Sequence, residues 1–209
     1  AMNKIISKKI FQANDIPTPK AKIIYSLNDA IQSSLDLNFP MVLKPISEGS
    51  SIGMTIVSSI KELDSATELA LSFNGVALAE ECIIGDEVTV SILNGEALPS
   101  ILINTPNIFY DYHAKYQSLD TQYICPSTKD SNLEKVYSEI ALNAFRAIGC
   151  NGWGRVDFMI EDNEQPKVLE INTVPGMTEK SLVPMAAENY GLNFNDLCWQ
   201  ILETSIKID

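Results

Sequence analysis

Apolar residues recur along this chain in two rhythms, a helical spacing and a shorter polar–apolar alternation. Residues 3–13 place Ile5, Ile6, Ile10 and Phe11 at helical intervals, and Asp15-Ile16-Pro17-Thr18-Pro19 ends that helix, because proline has no amide proton to continue it. A short strand is predicted over 22–25. Ser26 and Asp29 then form a capping pattern for a helix reaching about residue 37. Pro40-Met41-Val42-Leu43-Lys44-Pro45 reads as a buried strand that leads into a polar loop over 47–53, and a strand resumes over 54–57. Ser59 with Glu62 repeats the capping pattern, ahead of a helix face made by Leu63, Ala66, Ala70 and Phe73. Strands follow over 76–83, 87–93 and 98–103. Beyond them lie a loop over 104–121, a helix over about 132–148, a hairpin, and two helices within 184–206. The order is mixed α+β, without the regular alternation of a doubly wound sheet. A seam near Gly85 divides a first half with βαβ-like segments from a β-rich second half.

The hairpin carries the most informative pairing. Gly154-Arg155-Val156-Asp157-Phe158-Met159 and Leu169-Glu170-Ile171-Asn172 read as strands, with the turn-like Asp162-Asn163-Glu164 between them. Side chains alternate faces, so Arg155 shares a face with Asp157, and Glu170 shares one with Asn172. Folding about Asn163-Glu164 sets Asp157 opposite Glu170 and Arg155 opposite Asn172, a register that a bulge would move by one residue. Two carboxylates, a carboxamide oxygen and a guanidinium then converge. An all-oxygen set left open by the protein suits Mg²⁺, which keeps waters and takes phosphate oxygens. The same spacing is also that of an arginine–carboxylate salt-bridge patch on an exposed sheet face.

Composition narrows the classes. A chain of 209 residues can bury a core as one large or two small domains. The formal net charge of −12 argues against a general nucleic-acid surface, which needs clustered Lys and Arg, yet leaves room for a nucleotide held by a few lysines and Mg²⁺. Cys82, Cys125, Cys150 and Cys198 show no metal-ligand spacing and there is one histidine, so neither zinc nor a disulfide scaffold is expected, and a reducing cytoplasm is. No signal-peptide pattern opens the chain, no apolar run is long enough to span a bilayer, and Ala1 ahead of Met2 reads as a cloning remnant.

Four further stretches carry candidate chemistry, each with a plainer alternative. Glu48-Gly49-Ser50-Ser51-Ile52-Gly53, just after Lys44, offers free amides for phosphate oxygens; it lacks the Lys-Ser/Thr of a P-loop and also reads as an ordinary turn. Ala79-Glu80-Glu81-Cys82-Ile83 is a strand with adjacent carboxylates on opposite faces, fit for an adenine reader or for a solvated edge. Phe109-Tyr110-Asp111-Tyr112-His113-Ala114-Lys115-Tyr116 is too aromatic for disorder and reads as a lid, with His113 solvated or structural. Thr173-Val174-Pro175-Gly176-Met177-Thr178, then Ser181-Leu182-Val183-Pro184, combines close backbone approach with a helix start, and equally fits a helix-entry turn.

Taken in order, these segments resemble the D-alanine–D-alanine ligases of the ATP-grasp superfamily, from about residue 3 to the C-terminus. The wording that carries the resemblance is Val42-Leu43-Lys44-Pro45 with Glu48 to Met54, the tyrosine stretch, Gly152-Trp153-Gly154-Arg155-Val156-Asp157, Leu169 to Thr173, and Pro175 to Pro184. The resemblance implies an ATP-grasp fold of two α+β subdomains, 3–84 and 85–209, gripping ATP between them. It implies that Lys4 and Lys44 meet the nucleotide's phosphates, that Ser51 is a further ATP contact, that Glu80, Glu81, Cys82 and Ile83 hold adenine, and that Glu87 holds the ribose. Lys115 would reach the γ-phosphate with Tyr110 nearby, and Asp157, Glu170 and Asn172 would bind two Mg²⁺ or Mn²⁺ ions. Arg155 would stabilise the transferring phosphoryl group, and Gly176 would help form an oxyanion hole. Ser181 and Leu182 would bind the second D-alanine, with Ser50 and Tyr116 orienting the first. The implied role is cytoplasmic synthesis of a peptidoglycan precursor from D-alanine and ATP, with a homodimer for the intact protein. Members of the family carry another domain ahead of the point where this chain begins, so a fragment or a natural truncation is expected. A MgATP-binding module without activity, or a ligase accepting D-lactate, are the alternatives.

Overall fold

A computed structural model describes residues 3–49, 51–104, 121–161 and 165–206. The apolar runs of the first part form strands β1 (Ala21–Ile24), β2 (Met41–Pro45), β3 (Thr55–Val57) and β4 (Ala77–Glu81), joined by helices α2 (Leu27–Leu37) and α3 (Leu63–Leu71). They build a four-stranded antiparallel sheet in the order β1-β4-β2-β3. The predicted βαβ-like segments are therefore interleaved: β4 separates β1 from β2, and β2 separates β3 from β4. Ile24, Met41, Leu43 and Val57 of the sheet pack with Ala30 of α2 and Ala66 of α3, apolar residues that helical and strand periods direct to one side.

The second sheet is antiparallel and six-stranded. Its strands are β5 (Asp86–Leu93), β6 (Glu96–Ala97), β7 (Ile101–Asn104), β8 (Gln122–Ile124), β9 (Trp153–Ile160) and β10 (Lys167–Asn172). The order is β10-β9-β5-β7-β8, with β6 paired onto β5. Val88, Val90 and Ile92 of β5 join Val156 and Phe158 of β9 beneath the long helix α4 (Ser131–Ala147), which contributes Tyr137, Ala141 and Phe145. Leu93, Ile101 and Ile103 pack with helices α5 (Leu182–Tyr190) and α6 (Phe194–Ser205). Among the described residues, no helix is long and apolar enough to cross a membrane. Strand β8 was not expected; three residues are too few to display an alternating pattern.

The first helix, α1 (Lys4–Ala13), departs from its predicted face. Asn3 caps it, its side chain accepting from the Ile5 and Ile6 amides at 3.0 and 3.1 Å. Phe11 is buried as expected, but Ile6 is 55% exposed while Ser7 and Lys8 are buried. The inward side of α1 meets polar groups, so apolar spacing alone points the wrong way. Phe11 and the following Ile16 pack into the core under α4, although they precede the first sheet in sequence. Residues 17 and 18 lie along β10: the Val168 amide donates to the Pro17 carbonyl at 2.8 Å, and the Thr18 hydroxyl donates to the Val168 carbonyl at 2.8 Å. Phe73, expected on the third helix, lies beyond its end. Its ring covers Gly53, where a Cβ would come within 2.4 Å of it at a φ of +70°.

Candidate functional site

A cleft opens between the two sheets. Val42, Lys44 and Pro45 of β2 and Glu80 and Glu81 of β4 line one side; Asp157, Met159, Leu169 and Glu170 line the other. Lys4 of α1, Glu87 of β5, Ile83, and Glu48, Gly49, Ser51, Ile52 and Met54 from the polar loop complete the wall.

Strands β9 and β10 pair with Asp157 opposite Glu170 and Arg155 opposite Asn172, the register expected from symmetric folding. The register shifts between Val168 and Glu170, so a bulge at Leu169 affects only the outer pairs. The turn residues Asp162, Asn163 and Glu164 lie outside the described residues. Arg155 donates from Nε to Asp157 Oδ1 at 2.7 Å and from a terminal nitrogen to Oδ2 at 2.9 Å. Asn172 Nδ2 donates to Asp157 Oδ2 at 2.6 Å, and the Thr89 hydroxyl donates to Oδ1 at 2.8 Å. The arginine–carboxylate bridge is thus present, on a buried patch and not on an exposed sheet face. Asp157 is buried and salt-bridged, whereas Glu170 keeps 31% of its side chain exposed, 3.8 Å from the Lys4 ammonium.

This set suits a hard divalent cation. Among the described residues no three His, Cys, Asp or Glu side chains cluster as ligands, so the donors are two carboxylates and the carboxamide oxygen of Asn172. Asp157 accepts two hydrogen bonds at each oxygen, so a cation there would displace one of these donors, and an incomplete all-oxygen shell is what Mg²⁺ shares with water and phosphate.

Across the cleft, Lys44 Nζ lies 2.7 Å from Glu80 Oε1 and Lys8 Nζ lies 2.7 Å from Glu80 Oε2. Lys4 donates to the Glu48 carbonyl. Burial lowers the pKa of the Lys4 and Lys8 ammonium groups, opposed by Glu170 at Lys4 and by Glu80 at Lys8. For Glu80, burial pushes the carboxyl up, but Lys44 and Lys8 override it and hold the pKa below the ordinary 4.5. A folded-state pKa below the unfolded one means stabilisation that is complete above pH 4.5 and lost as pH falls through the lower value. Melting temperature should accordingly drop on acidification below pH 4.5, and Glu80→Gln should make that limb shallower. An acid limb of unchanged slope in thermal melts would assign it to other carboxylates.

The remaining predicted residues are distributed more widely. Alternation separates Glu80 from Glu81 as expected. Glu81 sits on the rim, accepting from the Lys20 amide at 3.1 Å, with Lys167 Nζ 3.5 Å from its other oxygen. Ile83, Glu87 and Ser51 are on the cleft wall, while Cys82 is half-buried and off it. Gly176, Ser181 and Leu182 also lie off this wall. Ser181 Oγ accepts from the Thr178 amide at 3.0 Å, and a Cβ at Gly176 would stand 3.1 Å from that oxygen. The Leu182 side chain is core, packed with Leu93 and Ile101. Ser50, Tyr110, His113, Lys115 and Tyr116 lie outside the described residues. Sequence reasoning missed the apolar walls Val42, Met159 and Leu169, together with Thr89 and Lys8. Most had a signal. Val42 and Met159 stand two positions from Lys44 and Asp157, Thr89 two from Glu87, and Lys8 four from Lys4 on one helical face.

The family model described as D-ala D-ala ligase C-terminus matches residues 10–203. A D-alanine–D-alanine ligase of Pseudomonas putida (strain GB-1) is 44% identical over 206 residues, covering 99% of this chain and 65% of that protein. The chain thus spans about 65% of the length of the curated relatives it matches. The crystal structure of D-alanine–D-alanine ligase from Bacillus anthracis superposes with a TM-score of 0.86 at 37% identity, over 99% of this chain and 67% of the other. The structure of that ligase complexed with ATP superposes at 0.84 with 33% identity, over 99% and 66%.

Proposed function

The chain belongs to the D-ala D-ala ligase C-terminus family, and from that premise we propose that its cleft binds ATP with Mg²⁺ for the joining of two D-alanines. The observation that carries this reading is what the cleft brings together: Lys44 on one side, Asp157 and Glu170 on the other with Asn172 bonded to Asp157, and Lys4 on the wall 3.8 Å from Glu170. In this reading residues 3–84 and 85–209 are the two gripping subdomains. Lys4 and Lys44 meet the phosphates, Ser51 is a further ATP contact, Glu80, Glu81, Cys82 and Ile83 hold adenine, and Glu87 holds the ribose.

Asp157, Glu170 and Asn172 would hold Mg²⁺ or Mn²⁺, as two ions, which when bound neutralise charge on phosphate oxygens. A carboxylate is a poor acyl donor. Its oxygen attacks the γ-phosphorus, the bond to the bridging oxygen breaks, and ADP leaves. The amine of the second D-alanine then attacks the acyl carbon, phosphate departs, and the amine gives up a proton. Arg155, held by the two bonds it donates to Asp157, would stabilise the transferring phosphoryl group. Lys115 and Tyr110 serve the γ-phosphate. Gly176 contributes to the oxyanion hole, Ser181 and Leu182 bind the second D-alanine, and Ser50 and Tyr116 orient the first. Peptidoglycan-precursor synthesis in the cytoplasm, by a homodimer of the whole protein, belongs to the same proposal.

A second reading is favoured by the chain's 65% share of its relatives' length: a MgATP-binding module that does not ligate unaided. Calorimetric titration of ATP with and without Mg²⁺ tests what the two readings share, and Mg²⁺-dependent binding is the expected result. Phosphate release with and without D-alanine, beside chromatography for the dipeptide, separates them. Dipeptide formed at ordinary enzyme rates identifies a self-sufficient ligase; binding without dipeptide identifies the module. Absence of any ATP binding would overturn both.

A further inference from the structure

Lys8 has no place in the roles assigned so far, yet its side chain is only 5% exposed. Burying an ammonium is costly unless it is paired and hydrogen-bonded. Here it is: Nζ lies 2.7 Å from Glu80 Oε2 and donates to Thr18 Oγ1 at 2.8 Å and to the Pro19 carbonyl at 3.1 Å. Thr18 and Pro19 take two of its three donors, and Glu80 supplies the opposite charge. Lys8 is not on the cleft wall, so it does not touch what the cleft holds.

Its consequence runs through Glu80. One oxygen of that buried carboxylate faces Lys8 and the other faces Lys44, which is on the wall and 12% exposed. Two ammonium groups and one carboxylate leave a net charge of +1. Were Lys8 neutral, Glu80 and Lys44 would cancel each other, and the wall would offer an anion little attraction. Lys4, Glu48 and Glu81 add to the local field but do not depend on Lys8 for their charge.

We infer that Lys8 is a positioning residue whose buried charge offsets Glu80 and thereby leaves the charge of Lys44 available to a phosphate group in the cleft. The inference rests on the nucleotide reading and deepens it, because it specifies that Lys8 serves the phosphates and not the base. Thr18 fixes the arrangement to the second sheet through its bond to the Val168 carbonyl, two residues before Glu170.

The test compares affinity for ATP with Mg²⁺ against affinity for adenosine, by calorimetry and competition, in the wild type, Lys8→Met and the double variant Lys8→Met/Glu80→Gln. Loss of one poorly screened charge should weaken ATP on the order of tenfold while adenosine changes by about twofold or less. Removing the paired carboxylate as well should return the ATP-to-adenosine ratio to within about threefold of wild type. A role confined to structure would weaken both ligands equally in Lys8→Met, and that result overturns the inference. So does a double variant whose ratio stays as low as that of Lys8→Met. If Lys8→Met does not fold, the double variant decides, since both buried charges leave together: a wild-type ratio supports the charge assignment and a tenfold loss overturns it. A wild type that binds no ATP at all is a distinct result, which removes the nucleotide reading and this inference with it.

Discussion

Asp157→Ala should lower both stability and Mg²⁺-dependent ATP affinity, whereas Glu170→Gln should lower the affinity alone. Hairpin spacing would assign the two carboxylates equal roles, but their surroundings differ. Asp157 accepts at least four hydrogen bonds, two from Arg155 and one each from Asn172 and Thr89. Removing it leaves the Arg155 guanidinium, 15% exposed, without its carboxylate. Breaking a buried pair in this way costs about 3–5 kcal/mol, and partial exposure places this case near ~3 kcal/mol. For a chain of this length that is a fall of roughly 6–12 °C in melting temperature. Glu170 is 31% exposed, and its ion-pair partner Lys4 is 3.8 Å away. Weak, solvent-screened pairing contributes about 0–1 kcal/mol, so Glu170→Gln should melt within about 3 °C of wild type. Both variants should bind MgATP at least about tenfold more weakly, since each loses a proposed anionic oxygen ligand. Thermal melts beside ATP titrations read the two effects separately. Equal losses of stability would show that Asp157 and Glu170 share one structural role.

Gly85→Ala should be the most damaging single methyl group at the junction of the sheets. A Cβ there would lie 2.0 Å from the Ile160 carbonyl oxygen and 2.8 Å from its carbon. These are backbone atoms and cannot swing aside as a side chain would. Asp86, the next residue, pairs with Ile160, so relieving the clash opens the first rung between β5 and β9. Overpacking costs about 1–3 kcal/mol, and a backbone neighbour puts this substitution toward ~3 kcal/mol. Ile83 and Glu87, on either side, both line the cleft, so ATP affinity should fall with stability. Gly49→Ala is the stability control, because a Cβ there meets nothing within 4 Å. Urea unfolding curves check the claim: a wild-type midpoint for Gly85→Ala would mean the two strands separate there without cost.

Much of the cleft was legible from local pattern. Period-two alternation put Lys44 at the end of a buried strand, parted Glu80 from Glu81, and matched Asp157 with Glu170 across the hairpin. The resemblance to D-alanine–D-alanine ligases named candidate nucleotide and metal residues together. Its indications for Cys82 and Leu182 concern residues whose side chains lie off the cleft wall, and a motif does not say whether side chain or backbone is the contacting group.

Strand alternation, helix caps and turns depend on neighbours a few residues apart, so the order of residues encodes them directly. The hairpin register belongs with them, since its two strands are close in sequence and one face of each is committed to the core. The inward face of α1 is different in kind. Ile6 is exposed and Lys8 buried because the partners of this helix are Glu80 of β4, 72 positions from Lys8, and the core beneath α4. Likewise, Asp157 became a structural group as well as a candidate ligand only when Thr89, on β5, came beside it. A buried charge is tolerable only where a distant partner compensates its lost hydration, and chain folding, not local spacing, brings that partner into place.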